Sequence, residues 1–529
     1  MNALDWIIVA AYIAGVVGMS FMLARRQESR EDYYLGGRTV PWWLVGSSLL
    51  ANQVSAISLI GAPAFIALRA GGGLVWMQYE IAVPLAMAVV IVFLVPVFRR
   101  AGGITIYEFA EKRFGVSSRV VLSVIFLASR SMGAGVILLA TSYVSAAVLG
   151  IDLGLTILLI GAVTVLYTTA GGILADIYTD FVQLVILWIA SFACIGIIAA
   201  QLGGDLSLPA ESAFRATAFR FGSTGLGDGD PFSFWPMVIG GFFLYVSYYG
   251  CDQSQAQRLL ATASTREAQK ALLMNGVVRF LLTATYCAVG VLMIPFLERT
   301  PEFAASLAGA PPDFLMPRFY MEYVPAGLKG VLVAGILAAS MSSLDSAMNS
   351  LSASAWEDVL VKIFPRLAAA GRKTGVVGAR ALSVGWGVFA TWFALNLVGG
   401  PETVIELVNR IGSAFYGPVA GFFALGILFP RVRGAHALTG LVSGVALNIF
   451  LWRFFGDAVS WMWWNAAGFF TALLTGFLLS LPGGDENLRL VAAPRRYFAD
   501  APRGYISALA AWTVLIAAAC AGAGALLAR

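Results

Sequence analysis

The sequence predicts an all-α polytopic membrane protein with about 14 transmembrane helices, because its apolar runs of about 20 residues are each long enough to cross roughly 30 Å of hydrocarbon. The chain has 529 residues, of which 59% are hydrophobic and only 12% are charged. Soluble proteins carry roughly 25% charged residues. The mean hydropathy of +0.82 agrees with a chain that lies mostly within a bilayer.

The first apolar run, residues 4–24, is predicted to be a retained helix, since no basic segment precedes it and no small-residue cleavage site follows it. Lysine and arginine are concentrated in alternate loops between the predicted spans, and we count Arg258 among these loop residues. The positive-inside rule then puts both termini outside the cell membrane. The basic loops also account for the net charge of +5, so no nucleic-acid partner is needed.

Side chains suited to metal binding or acid–base chemistry are scarce. The four cysteines lie in or at the ends of apolar segments without a C-x-x-C spacing, and the single histidine, His436, lies in a basic loop. This pattern predicts no disulfide framework and no histidine-based metal centre. Because the sequence shows no nucleophile–base pair and no phosphate-binding loop, we expect a protein that is not an enzyme.

Two predicted spans are interrupted by helix-breaking or charged residues. In the second, residues 42–68, Gly61 and Pro63 are expected to break a helix with a polar centre, and the seventh, residues 234–256, contains Asp252 near its inner half. Interrupted helices five spans apart suggest an inverted repeat, spans 2–6 against 7–11, of the kind that builds binding sites at the membrane midplane. The alternative is that glycine and proline are simply frequent in membrane helices.

The predicted ninth span carries a polar stripe. Ala339, Ser342, Ser343 and Ser346 recur at helical spacing, with Asp345 beside them. Serine hydroxyls suit a small alkali cation, although serines in membranes also bond back to their own helix. A buried carboxylate in the same turn favours the cation site, because such a group needs a counter-cation or a proton.

The predicted sixth span, residues 177–201, offers a second carboxylate, Asp180, with Asp176 one turn earlier. The alternative interpretation is an acid that complements the positive end of the helix dipole, which suits Asp176 better than Asp180.

Arg130 lies near the middle of the predicted fourth span, where a guanidinium requires an anion. A solute carboxylate would supply that anion, and a permanent ion pair with a protein carboxylate is the alternative. Arg410 competes for the same role, but Glu406 one turn away makes it the better candidate for a structural ion pair. Glu80, near the outer end of the third span, is expected to reach the headgroups.

Several motifs, in order along residues 30–429, resemble those of the sodium:solute symporter family, and in particular its branch for monocarboxylates, iodide, vitamins and sialic acid. The matching segments are EDYYLGGR (31–38), VSAISLIGAPAF (54–65), YTTAGGILADIYTDFVQ (167–183), CDQSQAQR (251–258), MSSLDSAMNS (341–350) and NRIGSAFYGP (409–418).

The resemblance implies a LeuT-type 5+5 inverted-repeat core, with residues 31–202 as the first repeat and residues 203–430 as the second. An extra N-terminal helix (1–30) and three accessory C-terminal helices (431–529) would flank this core. It also implies a first Na⁺ site, formed by the backbone carbonyls of Ala56 and Leu59 together with Ala339, Ser342 and Ser343.

A second cation site is implied at Asp180, Ser342 and Ser346. Asp345 stands where relatives are expected to have a hydroxyl, so it either strengthens this site or converts it to a proton site. The residues expected to line the solute cavity are Ser58, Gln78, Arg130, Tyr248, Asp252 and Phe415.

The predicted function is a sodium-coupled secondary active symporter that imports a small organic solute carrying a carboxylate, such as a monocarboxylate or sialic acid. Na⁺ is the expected coupling ion, and the expected partners are an anionic small molecule and the lipid bilayer; a monomer is compatible with the sequence. A neutral solute or proton coupling is the alternative, and a passive channel or a transporter-like sensor is a more remote one. A channel is disfavoured because the sequence has no ring of pore charges and no repeated filter loop.

Overall fold

The computed structural model describes residues 1–25, 27–53, 56–228, 230, 232–367, 371–398, 404–456, 458–481 and 501–527. Within these residues all regular secondary structure is helical, and extended pairing is limited to two isolated bridges, Val40 with Thr262 and Leu226 with Val459. The predicted all-α class is therefore confirmed.

The helices that form the body of the protein are numbered here in chain order. They are α1 (Ala3–Ala24), α2 (Trp42–Gln53), α3 (Ala56–Ala67), α4 (Leu74–Ala101), α5 (Tyr107–Phe114), α6 (Val116–Leu149), α7 (Leu153–Gln201), α8 (Pro236–Cys251), α9 (Gln253–Leu260), α10 (Thr265–Arg299), α11 (Leu315–Tyr323), α12 (Leu328–Ser354), α13 (Arg372–Asn396), α14 (Val404–Leu428), α15 (Gly434–Phe455), α16 (Trp461–Ser480) and α17 (Arg503–Leu527).

Among the described residues, 11 helices are long and apolar enough to cross a membrane, or 12 when α2 and α3 count as one broken span. The predicted count of 14 is not confirmed. Two predicted spans, 153–171 and 177–201, run together as α7, whose backbone breaks only at Gly172 (φ 55°, ψ −161°). The predicted seventh span is represented by α8, which is too short alone to cross roughly 30 Å of hydrocarbon.

The glycine at the break in α7 is required by its surroundings. Gly172 has a left-handed φ, which residues with a Cβ adopt at a cost. A Cβ at this position would also lie 2.7 Å from the carbonyl oxygen of Tyr33. The glycine thus lets α7 change direction against the short helix Arg30–Leu35.

The interruption in the second predicted span lies earlier than expected. α3 runs without a break through Gly61 and Pro63. The bend lies between α2 and α3 instead, where the helix axes of Trp42–Gln53 and Ser58–Ala67 differ in direction by 53°. The seventh predicted span is interrupted at Asp252, which has extended backbone (φ −87°, ψ 125°) between α8 and α9. Its Oδ1 accepts a hydrogen bond from the backbone N of Ser254 (2.8 Å) and so caps α9.

The centre of the protein is α12, which packs against α1, α6 and α7. In its most hydrophobic stretch 94% of the residues are buried, against 17% in α1 and in α17. Alanine, glycine and serine dominate α12, and small residues of this kind let neighbouring helices approach closely in a bilayer. The polar stripe predicted from the sequence is therefore buried in the protein interior rather than exposed to lipid.

The expectation that Glu80 reaches the headgroups is wrong. Glu80 is buried in α4, where Nε of Arg279 lies 2.8 Å from its Oε2 and Nη2 of the same arginine donates to Oε1 at 2.9 Å. Arg279 comes from α10, so the sequence separation concealed the partner. A doubly hydrogen-bonded pair of this kind satisfies both buried charges.

Candidate ion and solute sites

A cavity of about 520 Å³ lies beside α12 and is lined mainly by α2, α3, α4, α6, α8, α10 and α14. It reaches the surface at Pro312 and Asp313, which are both exposed. Of the residues predicted to contact a solute, Ser58, Arg130 and Tyr248 line this cavity. The structure thus brings together residues from three separate helices that the sequence proposed as one site.

Arg130 is the buried cation of the cavity wall. Its side chain is 9% exposed, its Nε has no hydrogen-bond partner, and the described residues offer it no salt bridge. Asp252 interacts with it electrostatically from beyond salt-bridge distance, while the Oδ1 of that aspartate is engaged in capping α9. A buried guanidinium without a close carboxylate is suited to accept one from a ligand.

Three other predicted solute contacts are absent from the cavity lining. The amide of Gln78 donates to the carbonyl oxygen of Phe232 (2.6 Å). Gln78 thus holds the backbone of Phe232, which lines the cavity, without lining the cavity itself. Asp252 serves as a helix cap, and Phe415 is half-buried next to Tyr416, which does line the cavity. Arg410 is likewise not in the lining, and the side chain of Glu406 lies outside the described residues.

The hydroxyl-bearing face of α12 meets the end of α2. Oγ of Ser343 donates to the carbonyl oxygen of Asn52 (3.1 Å), and Ser343 also lines the cavity. Leu59 and Ala339 are buried in the same core, Ala56 is the first residue of α3, and α3 packs against α12. The predicted first sodium ligands therefore belong to two helix segments that are in contact.

Three aspartates form a fully buried cluster beside this contact. The carboxylates of Asp176, Asp180 and Asp345 offer ligand oxygens that all lie within 4.8 Å of one another. Oγ of Ser342 donates to Asp180, and the hydroxyl of Tyr167 donates to Oδ2 of Asp345 (2.7 Å). Carboxylate and hydroxyl oxygens at this separation form a ligand set for a hard cation.

Arg258 lies in the middle of this cluster, a position that the sequence did not indicate. Its Nη2 donates to Oδ1 of Asp176 (2.8 Å) and to Oδ2 of Asp180 (3.2 Å), and the same group contacts Ser346. Its Nε donates to Oγ of Ser48 (2.6 Å). If all four groups are ionised, three carboxylates and one guanidinium leave two negative charges without a counter-charge.

One expectation is corrected by this cluster. Arg258 is 1% exposed, so it is not a residue of a basic loop. Asp176 lies in the first turn of α7 after the break at Gly172, where an acid complements the helix dipole, and it also pairs with Arg258. The QR pair at the end of CDQSQAQR was the available signal, because an isolated arginine beside glutamine differs from the runs of basic residues in true loops.

A second ionic network lies just beyond the C-terminal end of α12. Arg119 lies 2.6 Å from Asp358 and 2.5 Å from Glu111, whose other oxygen accepts from Lys362 (2.7 Å). Burial opposes ionisation of Glu111, but the hydrogen bonds from Lys362 and Arg119 prevail and hold its pKa below the usual value. The cavity reaches the surface at Pro312 and Asp313, which precede α12 in the chain, whereas this network follows the end of α12.

The family model described as "Sodium:solute symporter family" matches residues 33–444, which is most of the chain. The chain belongs to the sodium:solute symporter family. It is accordingly a sodium-coupled symporter for a small solute, with Na⁺ as the coupling ion, and a multi-pass membrane protein. The family, the sodium-coupled transport of a small solute and Na⁺ as the coupling ion are therefore confirmed.

The relatives of this symporter fall in the branch that the motifs indicated. It is 30% identical over 462 residues to the sodium-coupled monocarboxylate transporter 2 of Bos taurus, covering 84% of this chain and 72% of that protein. It is 26% identical over 489 residues to the sodium/sialic acid symporter NanT of Aliivibrio fischeri, covering 90% and 93%. These relatives are transporters rather than enzymes.

A solved structure of a Na⁺-coupled sialic acid symporter in a substrate-bound, outward-open state superposes with a TM-score of 0.80. It covers 91% of this chain and 98% of that chain at 23% identity. At this identity the likeness establishes the fold alone.

Proposed function

We propose that this symporter transports a small organic anion whose carboxylate is held by Arg130. The observation that supports the proposal is the geometry of that residue: a buried guanidinium in the cavity wall whose Nε lacks a hydrogen-bond partner. The monocarboxylate and sialic acid carriers among the relatives act on solutes with a carboxylate. A neutral solute would leave the buried charge of Arg130 without a carboxylate at salt-bridge distance, which is unfavourable.

The first coupling Na⁺ is proposed to bind between α3 and α12. Its ligands would be the backbone carbonyls of Ala56, Leu59 and Ala339 with the hydroxyls of Ser342 and Ser343. Both hydroxyls donate their hydrogens to protein acceptors, to Asp180 and to the carbonyl of Asn52, which leaves oxygen lone pairs for a cation. Because Ser343 also lines the cavity, ion and solute would each favour the other, by the same factor in affinity.

We expect Ser343→Ala to raise the Na⁺ concentration for half-maximal uptake about tenfold, since one lost ligand to a charged group is worth roughly 1.5 kcal/mol. The measurement is solute uptake into proteoliposomes against a Na⁺ series, with choline as the replacement cation. Ser340→Ala is the matched control, because its Oγ bonds back to Ile336 within α12. Uptake that proceeds equally in choline contradicts sodium coupling, whereas an unchanged Na⁺ dependence in Ser343→Ala contradicts only this site.

A second coupling cation is proposed at Asp180, Ser342, Asp345 and Ser346. In the fully ionised cluster Arg258 would leave two negative charges unbalanced, which supports this assignment because a buried carboxylate requires a cation or a proton. The candidates are a second Na⁺, held by the carboxylate and hydroxyl oxygens, and a proton on the Asp345 carboxylate.

Asp345→Asn is expected to remove this second coupling event while leaving the first. If the cation is Na⁺, the Hill coefficient for Na⁺ falls from about 2 towards 1, because one anionic ligand is lost. If it is a proton, the pH dependence of uptake flattens at constant Na⁺. Tyr167→Phe is the control, since it removes the hydrogen bond to Asp345 but keeps the charge. Unchanged Hill coefficient and unchanged pH profile would make Asp345 a structural residue.

The orientation and repeat structure are also proposals. We infer that both termini lie outside the cell membrane and that the cavity mouth faces the same side. Residues 31–202 and 203–430 are proposed as two inverted repeats, flanked by residues 1–30 and 431–529. The interruptions between α2 and α3 and between α8 and α9 support this division, because they fall at corresponding places in the two halves.

A further inference from the structure

The cavity in front of Arg130 is far larger than one carboxylate. Its volume of about 520 Å³ is in the range that holds a drug-sized ligand. An acid of two or three carbons would leave most of this space to water. The residues that line the cavity away from Arg130 therefore indicate the chemical nature of the rest of the solute.

A continuous series of aromatic rings forms one side of the cavity. The ring of Phe65 lies 5.1 Å from that of Phe232 and 5.3 Å from that of Trp76, and Trp76 is followed by Tyr79 at 6.0 Å. Tyr245 continues the series at 4.7 Å from Tyr79. All five rings are in the cavity lining, so their faces offer apolar surface to a ligand, although Trp76, Tyr79 and Tyr245 also carry polar groups.

The cavity wall contains two further arginines, but both are engaged. Arg279 is held by both oxygens of Glu80 and by the hydroxyls of Tyr245 and Tyr249. Arg69 stacks over Phe65 (5.5 Å) and Phe232 (4.9 Å) near the mouth. Arg130 is the buried arginine of the lining without a salt bridge among the described residues, which suits the single carboxylate of a monoanion.

One residue of the cavity lining has a side-chain amide that is buried without a hydrogen-bond partner. Neither amide atom of Asn52 has a hydrogen-bond partner, although the residue is 3% exposed, and it lies in the lining with Ser343. A buried amide in this condition needs a donor and an acceptor from a ligand. A solute hydroxyl, which can both donate and accept, is the group that would satisfy this amide when the bound solute contacts it.

We propose that the solute is an aryl-substituted monocarboxylate with a polar substituent, of the 3-phenyllactate type, rather than a short acid or a polyhydroxylated sugar acid. This inference rests on the proposed carboxylate site. The carboxylate binds Arg130, the polar substituent meets Asn52, and the ring packs on Trp76 and Phe232. A sugar acid would place many hydroxyls against these ring faces, where they would lose hydrogen bonds to water.

The test compares Na⁺-dependent binding of lactate, 3-phenyllactate and N-acetylneuraminic acid to the purified symporter by calorimetry. Lactate and phenyllactate differ only by the ring, so burial of that ring predicts that phenyllactate binds about tenfold or more tightly than lactate. N-acetylneuraminic acid should bind more weakly than phenyllactate. Lactate or N-acetylneuraminic acid binding as tightly as phenyllactate overturns the inference but leaves the carboxylate site intact.

Two variants locate the ring. Trp76→Ala should weaken phenyllactate about 3- to 10-fold while lactate is unaffected, because only the ring-to-ring contact is lost. Phe232→Leu, a milder change, should act in the same direction if Trp76→Ala fails to fold.

Trp392→Ala is the control, since this tryptophan of α13 is 56% exposed and outside the cavity lining. Equal weakening of both ligands overturns the aromatic placement. Absence of Na⁺-dependent binding of all three acids overturns the proposed carboxylate site and this inference together.

Discussion

Replacing Arg130 with alanine raises the KM for an anionic solute about 100-fold or more, because truncating one partner of a buried hydrogen-bonded charge pair costs several kcal/mol. Arg130→Lys should retain part of the affinity, with a loss of about tenfold, since an ammonium supplies the charge but not the two-pronged geometry of a guanidinium. Na⁺-dependent uptake in proteoliposomes, with KM and maximal rate measured separately, gives both values.

The control for Arg130 is Arg453→Ala, which removes an arginine from the last turn of α15, away from the cavity. Its uptake should equal that of the unmodified symporter. An Arg130→Ala variant that is folded and keeps its KM would mean that the solute is not held by this residue. That result would favour the alternative considered from the sequence, in which Arg130 is permanently paired with a protein carboxylate. Asp252 would be its partner, because this acid interacts electrostatically with Arg130 in the structure.

The comparison of sequence and structure separates local features from long-range ones. The stripe Ala339, Ser342, Ser343 and Ser346 was predicted because helical spacing places these residues on one face, and α12 is indeed a continuous helix through them. Arg130 was predicted for a similar reason: its distance from the ends of an apolar run gives its depth in the membrane. Both predictions depend on residues within a single helix.

The errors concern partners that the chain brings together from far apart. Glu80 and Arg279 are separated by 199 residues, and Arg258 and Asp176 by 82. Taken alone, each charge near the end of an apolar run resembles a residue that reaches the headgroups. Arg279 is brought into the interior by the path of α10, and Arg258 by the break at Asp252 that precedes α9. The spacing of residues along the sequence does not reveal either feature.

The removal of Arg258 is expected to have the largest effect on stability. Arg258→Gln leaves Asp176, Asp180 and Asp345 buried without their internal cation, and breaking a buried ion pair on one side costs about 3–5 kcal/mol. The variant should melt at a lower temperature in detergent, and its stability should depend more steeply on Na⁺ than that of the unmodified protein. Na⁺ that replaces the guanidinium stabilises the folded state by mass action.

Asp176→Asn should restore much of the stability lost in Arg258→Gln, since the double variant removes one positive and one negative charge from the same contact of 2.8 Å. Arg299→Gln is the matched control, because its partner Asp205 is exposed and such surface pairs contribute about 0–1 kcal/mol. The measurement is the melting temperature, in Na⁺ and in choline, of the unmodified protein, Arg258→Gln, the double variant Arg258→Gln with Asp176→Asn, and Arg299→Gln. An Arg258→Gln variant as stable as Arg299→Gln in choline would show that the three carboxylates are already neutralised without Arg258. In that event the second coupling cation proposed at Asp345 would have no unbalanced charge to attract it.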